Sequence, residues 1–174
     1  MAHKEQVDFC SKIRDLLPDK FTGKNVLDAG SLDINGNNRF LFDDCNYIGI
    51  DLGHGSNVDI AMPIATYLHD VWYEYDVIVS TEMLEHDRFA RDSMRAMYNA
   101  LKLGGVLLLT AAGINRPEHG TSRTSPQDAP FTNDFYRNIA PYFLSETLNA
   151  SMFTFYLIER ARDDHDIYFA GVKG

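Results

Sequence analysis

Cysteine is nearly absent from this chain: Cys10 and Cys45 are the only two in 174 residues, far apart and without a CxxC pair. That argues against a disulfide framework or a cysteine-based metal site, and predicts two reduced, buried thiols. Basic charge is scarce as well. Sixteen Lys and Arg stand against 25 Asp and Glu, a formal net charge of −9. Such a field repels a phosphate backbone and disfavours extended nucleic-acid binding. No apolar run reaches membrane-spanning length, and no charged-then-apolar leader opens the chain. No repeat, low-complexity tract or linker marks a boundary. The expectation is one cytoplasmic domain over residues 1–174, with 45% hydrophobic and 24% charged residues, as in ordinary globular proteins. The six histidines and two cysteines show no metal-ligand spacing, so no metal is expected.

What is present centres on residues 25–51, NVLDAGSLDINGNNRFLFDDCNYIGID. Val26-Leu27 is a short apolar run that ends on Asp28 and breaks at Gly30. A second run, Tyr47 to Ile50, ends on Asp51. Two short buried strands, each ending in a carboxylate and joined by a loop and helix, make half of a nucleotide-binding α/β unit. In open parallel sheets ligands collect at the carboxyl ends of strands, so Asp28 and Asp51 are expected at the binding edge. A dinucleotide fingerprint needs a second glycine where this chain has Leu32, so a pyrophosphate cradle is poorly provided for. A nucleoside ligand without that phosphate fits more easily. Asp51 follows Gly30 at close to the ~20-residue offset at which an acidic side chain grips a ribose diol.

Along the rest of the chain, residues 3–17 read as an amphipathic helix with Val7, Cys10, Ile13 and Leu17 on one stripe, stopped by Pro18. Such a helix covers a sheet edge or lids the pocket. Val58 to Ile60 is a short third strand, followed by a loop or short helix at Pro63. Tyr75 to Thr81 is the clearest strand, and its continuous Val77-Ile78-Val79 core implies burial on both faces. Arg88 to Leu101 is a helix capped by Asp87, with Ala90, Met94, Met97 and Leu101 as core filling. Val106 to Thr110 is a fifth buried strand. The stretch 112–133 is too long for a simple connection and is expected to be mobile, closing over bound ligands. Asn138 to Ala150 reads as helix, and Phe153–Ile158 with Ile167–Val172 as an antiparallel pair.

Four segments, VLDAGS at 26–31, YIGIDL at 47–52, YDVIVSTEMLEH at 75–86 and LKLGGVLLLT at 101–110, occur in an order and spacing that resembles the class I S-adenosylmethionine-dependent methyltransferases. The similarity is to small type 11-like methyltransferase domains and covers roughly residues 24–111. Two departures stand out: Leu32 and Ile34 where glycines are frequent, and Leu103 where LKPGG has proline. Asn35-Gly36 and Arg39 resemble a variant branch of the family. The resemblance implies an α/β, Rossmann-like three-layer sandwich. Its seven-stranded, mostly parallel sheet would have the order 3-2-1-4-5-7-6 and an antiparallel terminal strand. It also implies S-adenosylmethionine as cofactor, with S-adenosylhomocysteine as product. Asp28, Gly30 and Ser31 would lie by its methionine part, Asp51 and Leu52 by the ribose, Asp59 and Ile60 by adenine, and Thr81 and Glu82 along its open side.

Methyl transfer from a sulfonium is an in-line displacement, so the protein's main tasks are alignment and exclusion of water. A general base helps when the acceptor is a hydroxyl or a protonated amine. The candidates are His119, His86, Glu82 and Glu85. His119 is the expected catalytic residue, because it lies in the loop after the fifth strand and is followed by Asp134-Phe135-Tyr136-Arg137, like the H…DFYR segment of the same branch. The negative charge and the aromatic residues between 131 and 143 favour a small-molecule acceptor with an apolar part. Two other readings remain open at this level. One is a non-catalytic cofactor-binding protein of the same fold. The other is a nicotinamide-dependent oxidoreductase, which Leu32 and the lack of a Tyr-x-x-x-Lys disfavour.

Overall fold

A computed structural model describes residues 4–174. Seven strands form one sheet in the order β3-β2-β1-β4-β5-β7-β6. The strands are β1 (Asn25–Ala29), β2 (Asn46–Asp51), β3 (Ile60–Ala61), β4 (Tyr75–Thr81), β5 (Leu101–Ala112), β6 (Phe153–Ala161) and β7 (Asp166–Lys173). The first five pair in parallel, whereas β7 runs antiparallel to both β5 and β6. The sequence-derived strand order and antiparallel tail are both present. No helix among the described residues is long and apolar enough to cross a membrane.

The period of two along each strand explains the layers. Val26, Val77, Val79, Val106 and Leu108 face one side, where Phe9, Cys10 and Ile13 of α1 (Lys4–Leu16) cover them. Leu27, Ile78, Leu107, Leu109 and Phe169 face the other, against α2 (Ile64–Tyr67), α3 (Ala90–Ala100) and α4 (Pro141–Thr147). Both faces of the central strands are therefore dry, as the unbroken apolar runs require. Both cysteines are free, Cys10 buried and Cys45 partly so.

Several boundaries differ from the sequence expectation for identifiable reasons. α3 begins at Ala90, not Arg88, because Asp87 is spent on the turn before it: its carboxylate accepts from Phe89 N at 2.7 Å and Ser93 Oγ at 2.5 Å. β5 starts at Leu101, earlier than Val106, because Leu101 pairs with Tyr75 ahead of a register shift. α4 is shorter than residues 138–150, since the chain before Pro141 is extended and Ile139 N donates to Ala112 O at 2.8 Å. β3 forms at Ile60–Ala61 instead of 58–60, in register with Ile50 and Asp51.

Candidate active site

The carboxyl ends of β1, β2 and β4 open into a cavity of about 590 Å³, within the range of small-molecule sites. Its wall includes Asp28, Gly30, Ser31, Asp51, Leu52 and, from β4 and the turn after it, Thr81 and Glu82. Seven of the nine residues predicted to bind the cofactor are thus gathered in one place. Gln6, Val7 and Cys10 of α1 close one side, which makes that helix both sheet cover and cavity wall. Burial pushes the Cys10 thiol up to about 12, with the Glu82 and Asp28 charges adding to the effect.

Asp28 is fully buried at the end of β1. Tyr47 Oη donates to its Oδ2, Asn38 Nδ2 to Oδ1 at 3.2 Å, and Asn57 Nδ2 to Oδ2 at 3.4 Å. Burial drives its pKa up to about 6, and these three donors hold it back from rising further. Asn38 also donates to Thr81 Oγ1 at 3.0 Å, tying the end of β1 to the end of β4. Arg39 supports the arrangement from outside. Its Nε donates to Asn57 Oδ1 at 2.5 Å, and its guanidinium lies 4.2 Å from the centre of the Tyr47 ring. Asn38, Tyr47 and Asn57 were not singled out from the sequence, because nothing local distinguishes them from ordinary loop and strand residues.

Gly30 must turn at φ +83, and a Cβ there would come within 2.5 Å of Met83 Cβ, so the β1 turn packs directly on the segment after β4. Asp51 accepts from Leu32 N at 3.0 Å and Leu52 N at 2.7 Å. Burial raises its pKa, while those backbone donors oppose the rise. Its remaining lone pairs are enough to accept from a diol. Ser31 Oγ is buried without a hydrogen-bond partner among the described residues. Glu82 adopts a left-handed backbone at φ +55, an uncommon conformation for a side-chain-bearing residue and one that clusters at functional sites. Thr110 Oγ1 donates to its Oε1 at 3.0 Å, and Arg116 Nη2 lies 3.8 Å from its Oε2.

Two predicted adenine-side residues are elsewhere. The Asp59 carboxylate turns back to accept from Gly49 N at 2.8 Å, locking β3 to β2, and Ile60 packs into the core. Met62, Pro63 and Ile64, two to four residues further on, provide that part of the wall. A carboxylate following a strand pattern can serve its own sheet, and here it does.

His119 is also not on the cavity wall. It packs edge-on against His86, ring centroids 5.0 Å apart, and His86 is the imidazole that reaches the cavity. Burial lowers the His119 pKa to about 4 and lowers that of His86, so both rings are neutral near pH 7. Glu85 is fully buried beside them, its Oε1 accepting from Ala112 N at 3.2 Å and lying 3.9 Å from His119 Nε2. The sequence reading assigned no metal, whereas the fold brings Glu85, His86 and His119 together with donor atoms within 4.8 Å of one another.

The long stretch after β5 is folded onto this cluster. Asn138 Nδ2 donates to Gly113 O and to Arg116 O, the latter at 2.8 Å, and Ser122 N and Oγ both donate to Asp134. Its Phe131 ring covers Gly53, where any Cβ would clash at 2.4 Å.

The cavity fits a cationic nucleoside better than a dinucleotide. Five carboxylates on its wall (Asp28, Asp51, Glu82, Asp87 and Asp128) face a single guanidinium, Arg88. That balance favours a sulfonium and an ammonium and opposes phosphates.

Solved structures share the fold at low identity. A Burkholderia thailandensis 1,6-didemethyltoxoflavin-N1-methyltransferase, solved with 1,6-didemethyltoxoflavin and S-adenosylhomocysteine bound, aligns at TM-score 0.68 and 15% identity, over 98% of this chain and 78% of that one. The Bacillus YcgJ protein aligns at 0.63 and 15%, over 98% and 99%. Haemonchus contortus phosphoethanolamine N-methyltransferase 2 aligns at 0.61 and 18%, over 94% of this chain but 52% of its own length. No curated protein matches the sequence.

The fold is that of the class I, S-adenosylmethionine-dependent methyltransferases. The family model described as a methyltransferase domain matches residues 1–154, and the chain belongs to that family.

Proposed function

We propose that the protein methylates a small molecule with an apolar part, at the cavity formed by the ends of β1, β2 and β4. The observation that carries this reading is the cavity rim. Ile34, Phe40, Phe89 and Phe131 all line the cavity and are all substantially exposed. Exposed apolar groups gathered at one mouth favour an apolar ligand over a charged polymer. The small molecules bound in the Burkholderia and Haemonchus enzymes support a small acceptor; its apolar part rests on the rim alone, the Haemonchus ligand being a phosphomonoester.

In this reading Asp51 accepts from the ribose hydroxyls of S-adenosylmethionine, and Asp28 with its three donors sets the negative potential near the amino-acid portion. Gly30, Ser31, Leu52 and Thr81 complete that wall. The cofactor, when bound, supplies a sulfonium methyl with an excellent leaving group. The residues of this chain then have to bind, align and keep water out. Where the acceptor sheds a proton, Glu82 and His86 are the wall groups able to take it, and the neutral state of His86 suits the task. His119, expected at the acceptor, acts instead through His86 as a positioning residue.

Two measurements test the proposal. Calorimetry should show S-adenosylmethionine or S-adenosylhomocysteine binding more tightly than NAD. Release of S-adenosylhomocysteine across a metabolite library should then identify apolar-bearing acceptors. Tight NAD binding with no response to S-adenosylmethionine would end the cofactor reading. Cofactor binding without turnover of any library member would favour a non-catalytic binding role.

A further inference from the structure

We propose that Glu85, His86 and His119 form a binding site for one divalent transition-metal ion of the zinc type, bracing the segment after β5 against the turn after β4. Three observations carry it. The first is convergence: one carboxylate and two imidazoles, drawn from two separate segments, bring their donor atoms within 4.8 Å of one another. Zinc bonds imidazole and carboxylate at about 2.0–2.2 Å, so the donors close by roughly 1–1.5 Å to share an ion.

The second observation is orientation. His119 Nδ1 faces Pro117 O at 3.2 Å, and His86 Nδ1 faces Phe135 O at 3.4 Å. A carbonyl only accepts, so each Nδ1 carries the proton and each Nε2 presents a lone pair. Backbone carbonyls that fix the ring and tautomer in this way are the usual outer support of a metal-bound histidine.

The third is an incomplete carboxylate. Glu85 is fully buried, and its Oε2 has no hydrogen-bond partner among the described residues. Arg116 lies nearby, but its guanidinium is held by Asp166 and lies 3.8 Å from Glu82. Two imidazoles with one carboxylate select zinc-like ions over magnesium or calcium, which prefer oxygen donors. With the ion bound, His86 serves as a ligand, and Glu82 alone keeps the proton-accepting role at the cavity.

The test needs neither cofactor nor acceptor, so its outcome is separate from the methyl-transfer reading. Chelator-treated full-length protein is titrated with zinc against a chromogenic chelator, and separately with cobalt(II). The expected result is one ion per chain at micromolar affinity or better, with visible cobalt absorption characteristic of low coordination number. Glu85→Gln and His119→Ala should each weaken binding by about 100-fold or more, and His119→Cys should restore much of it. His69→Ala, at an exposed imidazole beside Asp70, should change nothing. Circular dichroism confirms that each variant is folded. No ion retained at micromolar zinc would overturn the proposal, and would leave Glu85 and His119 as a buried proton-sharing pair. Binding that survives in folded His119→Ala would overturn it equally.

Discussion

Two neighbouring strands, β1 and β4, each lead to a buried carboxylate at the same end of the sheet, and they surround it differently. At the end of β1, Asp28 receives hydrogen bonds from Tyr47, Asn38 and Asn57. Beyond β4, Glu85 receives one backbone N–H at 3.2 Å and keeps a bare Oε2. Both are desolvated, and burial lifts each above its ordinary range, Asp28 from 3.8 to about 6 and Glu85 from 4.5 to about 7. What separates the two is the set of donors around each, not depth. The donors around Asp28 favour its charged form, whereas Glu85 has one backbone N–H on Oε1.

The sharpest way to break the comparison is Glu85→Gln, assayed by urea unfolding of the metal-free protein across pH. Between pH 4.5 and 7 the folded wild type retains a proton that the unfolded chain has released, so stability falls as pH rises. The penalty, about 3 kcal/mol for a shift from 4.5 to about 7, is complete above pH 7. Glutamine cannot ionise and can keep the bond to Ala112 N. The stability difference between variant and wild type should therefore widen in the variant's favour from pH 4.5 to 8. A difference that stays flat with pH would mean that Glu85 ionises as readily in the folded protein as in the unfolded chain.

At the end of β2, Asp51→Ala would, on the proposed function, remove a pair of charge-assisted contacts to the ribose. It should weaken cofactor binding at least tenfold, about 1.4 kcal/mol or more by calorimetry, while the fold survives. Unchanged affinity in a folded variant would make Asp51 a strand terminator only. Asn38→Ala strips Asp28 of one donor and breaks the link to Thr81, and should cost about 1 kcal/mol in unfolding experiments at pH 7. It should also move the Asp28 pKa further up, towards the behaviour of Glu85. The smallest effect on the fold belongs to the rim. Phe89 is 64% exposed, so Phe89→Ala should change stability by less than about 0.5 kcal/mol. It should raise the acceptor KM several-fold and leave cofactor affinity alone; a matching loss of cofactor affinity would show that Phe89 belongs to the cofactor wall.

The β1–β2 half was largely readable before the structure, because strand-ending carboxylates and a glycine turn are local patterns tied to a sheet edge. Asp28, Gly30 and Asp51 follow from that logic, whereas Ser31 and Leu52 came with the family resemblance. Asp59 did not, since the same pattern also suits a carboxylate that closes a ladder onto Gly49 N. The donors around Asp28 were unreadable for a different reason. Asn38 and Asn57 reach it through loops whose paths depend on tertiary packing, Asn57 from a left-handed backbone at φ +68. The Glu85–His86–His119 cluster joins residues from two connections on either side of α3 and β5, and no spacing rule covers such a junction. His119 was expected at the acceptor, but the surface it meets is formed by His86 and Tyr136 rather than by the open cavity.

The stacking of α1 on the sheet has a further consequence, for the order of assembly. Phe9 lies against Tyr168 of β7, ring centroids 4.9 Å apart, and the same helix places Gln6, Val7 and Cys10 on the cavity wall. These partners come from opposite ends of the sequence, and contacts of that separation carry a large loop-closure cost and form slowly. β7 must slot between β5 and β6 before α1 has its seat. In refolding experiments, recovery of ligand binding is therefore expected to trail recovery of helix and sheet content. The delay should track the docking of the first helix against the last strand.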